Sequence, residues 1–271
     1  MMANYNVLTL SEPVADFVAT TSPETINVQC SLSEDAQRKR VWAVCKAGGV
    51  PAHPYDGVRV EMDVIGEWSI TEMGLGALVR LDYADGAYSN WQIVDVDHAY
   101  PGCATLMLHC PSEAMKFGHA GDGVYTTLTY KTSKVNVRCE EFYNSLIEGV
   151  KSKIVRSAFT YQYYTNSSST TPSVNSIDAY VALPGRSEVE TGFSYLDSEA
   201  KRTAYGTDGV AVPYLLRDTA AALKVQLVTE AGGFSNGADS TANYIRPILN
   251  ISKDARFTTV PNSDGSFNPI L

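Results

Sequence analysis

Two stretches, Leu78-Val79-Arg80-Leu81-Asp82-Tyr83 and Trp91-Gln92-Ile93-Val94-Asp95-Val96-Asp97, read as strands and flank Asp85-Gly86. An Asp-Gly pair supplies the positive φ that a tight reversal needs, so this stretch predicts a β-hairpin. Ala104–Cys110 follows as a third run of β period. Adjacent strands joined this way must pair edge to edge, which commits the chain to a largely antiparallel sheet with its helices held to one part of it.

The rest of the chain agrees. Ile26–Cys30 and Val58–Asp63 alternate, while Val41–Cys45 is a continuous apolar run bounded by Gly48-Gly49, Pro51, Pro54 and Asp56-Gly57. Together they predict a small β unit over residues 1–66. Gly66, Gly74 and Gly76 punctuate the next stretch and place a boundary there. The best helix candidate spans 138–155, where Phe142, Leu146, Ile147, Val150 and Ile154 recur at three- and four-residue intervals, with Glu140 and Glu141 early and Lys151 and Lys153 late. A polar loop from Asn166 to Ser176, a strand over Asp178–Leu183, a short capped helix at Ser187–Glu190 and several short strands over 210–252 follow. Residues 253–271 read as an extended tail that docks on something else. The fold class is therefore α+β, mostly β, in three parts: 1–66, 67–252 and 253–271.

Bulk properties narrow the function. Acidic residues outnumber basic ones 30 to 21, a formal charge of −9, so the basic face of a nucleic-acid binder is not expected. The densest basic run, Arg38-Lys39-Arg40, follows Glu34 and Asp35 and reads as a solvated turn. No apolar run approaches the roughly 18 to 20 residues of a membrane span, so no membrane insertion is expected. The first residues, Met1 to Asn6, lack the basic and apolar regions of a signal peptide. Synthesis in the cytoplasm is therefore expected, with release by lysis or as part of a particle. The five cysteines are odd in number and contain no CxxC pair, which favours reduced thiols.

Four stretches taken in order carry a family likeness. They are Trp91–His98 with Ala104–Met107, Val181-Ala182-Leu183-Pro184-Gly185-Arg186-Ser187-Glu188-Val189, Pro213–Asp218, and Tyr244-Ile245-Arg246-Pro247-Ile248-Leu249-Asn250. Together they resemble an uncharacterised C-type-lectin-like domain family of phages and surface proteins of gut anaerobes. Its members have a W-x-I-x-D strand, an L-P-S-x-x-E-V element, a W-L-R-(T/S)-P strand and a terminal V-R-P-x-L strand. The likeness covers about residues 75–252, with Leu215 in place of the usual Trp and Asp218-Thr219 in place of Thr-Pro. The N-terminal stretches Trp42-Ala43-Val44 and Lys46–Pro51 look like modules of phage tail proteins.

The resemblance implies a small N-terminal β domain for attachment, followed by a C-type-lectin-like domain whose last strands frame an exposed binding face. That face would comprise Arg217, Asp218, Lys224, Gln226, Thr229, Glu230, Phe234, Asn236, Asp239, Asn243 and Tyr244. It implies a virion protein, at a tail-fibre tip or baseplate, recognising a bacterial surface protein or glycan. Its other partners would be tail proteins and copies of itself, a trimer for example. The alternative is a capsid or tail decoration subunit using the same face for particle contacts.

Catalytic and metal readings are weaker. The Glu-Pro-Asn and Trp-Asn-Asp strings of calcium-dependent lectins do not occur. Asp82, Asp85, Asp95 and Asp97 are explained as capped or hydrated strand ends. His98, Cys103, His109 and Cys110 suggest zinc, but two cysteines seven residues apart on one strand lie about 20 Å apart, too far for a tetrahedral site with bonds of about 2.0–2.3 Å. Adjacent Glu140 and Glu141 point about 100° apart on a helix and suit its first turn better than a catalytic pair. No phosphate-cradling loop, G-x-S-x-G or HExxH occurs. The expectation is a non-enzymatic chain with no cofactor and no metal.

Overall fold

The structure, a computed structural model, describes residues 4–8, 38–46, 59–65, 67–99, 101–119, 127–166 and 168–270. The chain divides into two compact units, residues 1–67 with 258–260, and residues 68–257 with 261–271. With 44% of residues in strands and 15% in helices, the fold class is α+β and mostly β.

In the first unit, β1 (Asn4–Leu8), β2 (Arg38–Lys46) and β3 (Arg59–Ile65) form an antiparallel sheet in that order, with Leu8 opposite Trp42 and Val41 opposite Met62. The predicted strand at Val41–Cys45 falls on β2, and that at Val58–Asp63 falls on β3 from Arg59 onward, Val58 lying outside the described residues. Arg38-Lys39-Arg40, expected in a turn, instead begins β2. The predicted strand at Ile26–Cys30 lies outside the described residues.

Strand β4 (Glu67–Ser69) falls at the boundary of the second unit, which continues with the hairpin β5 (Leu78–Asp82) and β6 (Tyr88–Val96). At its turn Gly86 has φ 85°, and the Ala87 amide donates to Asp85 Oδ1 at 2.9 Å, so Asp-Gly does what its chemistry predicts. Next come β7 (Cys103–Leu108) and β8 (Ala114–Lys116), then helix α1 (Lys134–Ser145). Ser133 caps α1 by accepting from the Asn136 amide at 3.2 Å.

The single helix expected over 138–155 is three elements: the end of α1, the short α2 (Glu148–Lys151), and a strand, β9 (Ile154–Val155). Leu146 leaves the helix in an extended conformation and bridges to Tyr83, while the Ile147 amide donates to the Asp82 carbonyl at 3.1 Å. Burying Leu146 against the hairpin outweighs continuing the helix. Ile154 then pairs with Ile251 in the sheet.

The hairpin β10 (Ser157–Tyr163) and β11 (Ser173–Ala179) is followed by β12 (Val181–Ala182), a π-helical turn (Glu188–Gly192) and α3 (Glu199–Arg202). The short pair β13 (Ala204–Tyr205) and β14 (Ala211–Val212) precedes β15 (Tyr214–Ala221), β16 (Lys224–Val228), β17 (Phe234–Ala238) and β18 (Ala242–Tyr244). Last come β19 (Ile248–Ser252), β20 (Arg256–Thr258), β21 (Ser266–Phe267) and β22 (Pro269–Ile270).

The central sheet runs β12-β19-β7-β6-β5-β21, with β9 also on β19. Every residue of β7 is buried, as are Trp91 to Asp95 of β6, because both faces are covered; strands of this kind read as apolar runs rather than alternations. Trp91 is fully buried, packs edge-on against Phe142 at 5.5 Å and donates its indole N–H to Ser89 Oγ at 2.8 Å. A second sheet runs β17-β16-β15-β18-β8. The chain beyond 252 joins this architecture directly: β21 lies parallel to β5, and Phe257 and Ser266 are fully buried.

Two substitutions test this packing. Trp91→Ala removes the largest core side chain and should cost about 3–5 kcal/mol in urea unfolding. Gly232 has φ 81°, and a Cβ there would lie 1.9 Å from the Glu199 carbonyl oxygen. Gly232→Ala should therefore lower the melting temperature even though it adds one methyl group to a turn.

Candidate recognition cleft

Between the Leu215–Leu227 and Thr219–Val225 pairs, β15 carries three residues opposite the single Gln226. This bulge lifts residues 216–218 off β16 and lets the Arg217 amide donate to the Pro184 carbonyl at 3.0 Å. Arg217 and Asp218, only 2% and 5% exposed, then hold three further segments in place.

The Arg217 guanidinium donates from Nε to the Thr160 carbonyl at 2.6 Å and from Nη1 to the Leu183 carbonyl at 2.8 Å. Nη1 and Nη2 also grip Glu188 Oε2 and Oε1 at 2.6 and 2.5 Å, a two-pronged ion pair. Glu188 accepts the Gly185 amide at 2.8 Å as well. A Cβ on Gly185 would stand 3.0 Å from the guanidinium carbon, so only glycine lets the backbone approach this closely. Asp218 accepts the Gln162 and Arg186 amides, each at 2.6 Å.

Burial acts to raise the Glu188 carboxyl. The charge of Arg217, with the nearby His98 imidazole and hydrogen bonds from Arg217 and the Gly185 amide, overcomes it and holds Glu188 down to about 2. His98 follows Asp97, whose φ of 66° is left-handed and whose carboxylate accepts the Gly102 amide. That turn brings His98 Nε2 to 3.8 Å from Glu188 Oε1 and sets the ring edge-on to Phe193 at 4.9 Å. The neighbouring Glu188 carboxylate holds the imidazole above its ordinary range, against an opposing effect of burial.

Over this floor opens a cleft of about 560 Å³. One wall carries Thr160 and Gln162 of β10, and the other Arg186, Ser187, Glu190 and Thr191. Arg186 donates to Glu190 at 3.2 Å and also lies 4.8 Å from the ring centre of Phe234. Arg202 stands 5.4 Å from the same ring. The lining mixes opposed charges with hydroxyls and an amide, so it suits hydrogen-bonding ligands without a strong net charge.

The sequence-derived face divides. Strand register puts Lys224, Gln226, Asn236 and Phe234 on one side of β16–β17, with Lys224 and Asn236 exposed and Val225 and Leu227 turned to the core. Gln226 is half-buried and donates to the Thr219 carbonyl at 3.4 Å. Thr229 closes the turn to Gly233, and Glu230 at its tip is exposed. Arg217 and Asp218 reach the cleft but spend their hydrogen bonds on the protein's own backbone and Glu188, so they frame the surface instead of offering free groups to a ligand. Asp239 and Asn243, each 8% exposed, and the half-buried Tyr244 belong to the β18 region of the sheet. The Asn243 amide donates to the Thr241 carbonyl at 3.4 Å.

The four aspartates weighed as cation ligands are engaged elsewhere. Asp82 pairs with Arg80 at 2.7 Å, Asp85 caps its own turn, Asp95 accepts the Ser194 amide at 2.5 Å, and Asp97 holds Gly102. Among the described residues no three His, Cys, Asp or Glu side chains come together as metal ligands. His98 is in the cleft, whereas His109 pairs through its amide with the Asn90 carbonyl at 2.9 Å.

Sequence reasoning missed His98, Arg186, Glu188 and Glu190 as one neighbourhood. The available signal was charge: Glu188 is followed by Val189, Arg217 continues the apolar run Leu215-Leu216, and an ionised group beside residues that will be buried needs a partner. No protein-family model, characterised protein or solved structure matches this chain.

Because its carboxyl sits below its ordinary value in the fold, Glu188 stabilises the protein fully above about pH 4.5, and that contribution is lost as pH falls toward about 2. Glu188→Gln should cost roughly 3–5 kcal/mol at pH 7 by leaving Arg217 unpaired. Urea unfolding across pH should show the gap between wild type and variant narrowing from 4.5 downward.

Proposed function

We propose that the second unit is a C-type-lectin-like recognition domain, and that the protein is a phage virion component at a tail-fibre tip or baseplate that binds a bacterial surface ligand. Supporting the family reading, residues of the ordered motifs serve one another: Glu188 receives Arg217, and Arg246 lies 5.4 Å from the ring of Tyr214. The observation that carries the binding role is Arg186, which walls the cleft and covers Phe234. Through it the cleft and the exposed side of β16–β17 make one polar surface on a rigid support. Such a surface binds through shape, aromatic contact and hydrogen bonds, as antibody-like paratopes do.

The first unit serves for attachment to other tail proteins in this reading, and self-association multiplies weak single contacts. The test uses labelled full-length protein on intact cells and isolated envelopes of a panel of gut anaerobes. Binding to a subset of strains is expected. Combined Lys224→Glu and Asn236→Lys should reduce it at least tenfold while changing stability by less than about 0.5 kcal/mol, since both sites are exposed. Protein that ignores every envelope but coats bare virions would replace the receptor role by particle decoration.

A further inference from the structure

A second concavity, of about 290 Å³, lies between the later part of α1 and the β11–β12 junction and shares no lining residue with the cleft. Tyr143 and Tyr180 stack on its wall with ring centres 4.2 Å apart and planes 4° from parallel. Lys151 Nζ lies 5.8 Å from the Tyr143 ring centre. Since Tyr180 occupies one face of Tyr143, the ammonium takes the other, and Tyr180 forms the outer end of the stack. It is 37% exposed, and no further ring or cation covers it among the described residues.

The polar groups around this ring are unusually uncommitted. Arg156 reaches only the Asp178 carbonyl, at 3.3 and 3.4 Å, and no carboxylate pairs with it among the described residues. Glu140 accepts from Asn136 at 3.4 Å, while the Asn144 side chain and the Asp178 carboxylate have no hydrogen-bond partner among the described residues. Ala179 and Val181 supply apolar floor.

We propose that this groove is a saccharide subsite for one neutral pyranose ring. An aromatic face carries negative charge density and attracts the polarised C–H bonds on one side of a sugar ring. Sugar hydroxyls both donate and accept, so they need donors and acceptors side by side; Arg156 and Asn144 provide the first, Asp178 and Glu140 the second. Lys151 is already paired with Glu148 at 3.0 Å, so one guanidinium, Arg156, faces the carboxylates of Glu140 and Asp178, a slightly negative balance that disfavours an anionic sugar. The size suits a single ring, so affinity is low per site and useful only when repeated on an oligomer. This assignment does not depend on the cleft being the receptor surface.

Saturation-transfer NMR on the full chain tests it, with the methyl glycosides of glucose, galactose, mannose and N-acetylglucosamine as probes. At least one should receive saturation at its ring protons, with Kd of about 1 mM or weaker. Tyr180→Ala should weaken that signal at least tenfold, Tyr180→Phe should preserve it, and Thr160→Ala in the cleft should leave it unchanged. Asn144→Ala with Asp178→Ala, both exposed, gives the same reading if Tyr180→Ala perturbs folding. Saturation of none of the four glycosides overturns the assignment, as does a signal that survives Tyr180→Ala and the Asn144/Asp178 pair. Binding of indole in preference to every glycoside would make the groove an aromatic-ligand site instead. Loss of the signal on Thr160→Ala alone would move the sugar to the cleft.

Discussion

A guanidinium buried among apolar side chains is tolerable only if nearly all its donors are used and its charge is met. Arg217 satisfies both conditions by binding Glu188 with two prongs and taking the Thr160 and Leu183 carbonyls. Much of the local architecture follows. The bulge in β15 presents the arginine, Gly185 lets the backbone pass within contact of it, and the turn at Glu188 aims the carboxylate back. Replacing the pair with apolar residues would still orphan the carbonyls of Thr160 and Leu183. The interaction therefore specifies the positions of β10, β12 and the π-helical turn as well as adding stability.

Arg246 meets the same difficulty only in part, since its buried Nη1 has no hydrogen-bond partner among the described residues. It is 2% exposed and has no carboxylate partner among the described residues. Its Nε donates to the Leu108 carbonyl at 2.8 Å, Nη2 approaches Gln92 Oε1 at 3.5 Å, and the cation faces the ring of Tyr214. Carbonyl dipoles and an aromatic quadrupole replace an ion pair here. Arg246 thus ties β19's approach to β7, while Arg217 ties β15 to β10. The two cations brace the walls between which the more exposed residues sit.

The division between bracing and exposed groups was only partly legible. Alternation along β16 sends Val225 and Leu227 inward and Lys224 outward, because side chains of neighbouring strand positions point to opposite faces, yet Val228, next to Leu227, is buried as well. Periodicity cannot reveal the bulge that buries Arg217 and Asp218, which depends on Pro184 and Gln162 arriving from distant parts of the chain. The pattern over 138–155 misleads for a related reason. Spacing compatible with a helix was also compatible with Leu146 and Ile154 being buried by different neighbours. Tyr143 and Tyr180 gave no sign at all, being far apart along the chain, one on a helix and the other between two strands.

Local chemistry by itself determined the mostly-β class, the Asp85-Gly86 hairpin and the strands β6 and β7, since these rest on side-chain alternation, turn stereochemistry and apolar runs. Tertiary structure decided where α1 stops, how residues 256–270 join the sheets, and which polar residues of the motifs are bracing and which are exposed. The reason is that burial and hydrogen-bond partners are properties of the assembled neighbourhood. A charged residue in a sequence declares that it needs a partner, but only the fold supplies Glu188 to Arg217 and leaves Arg156 beside an open tyrosine ring.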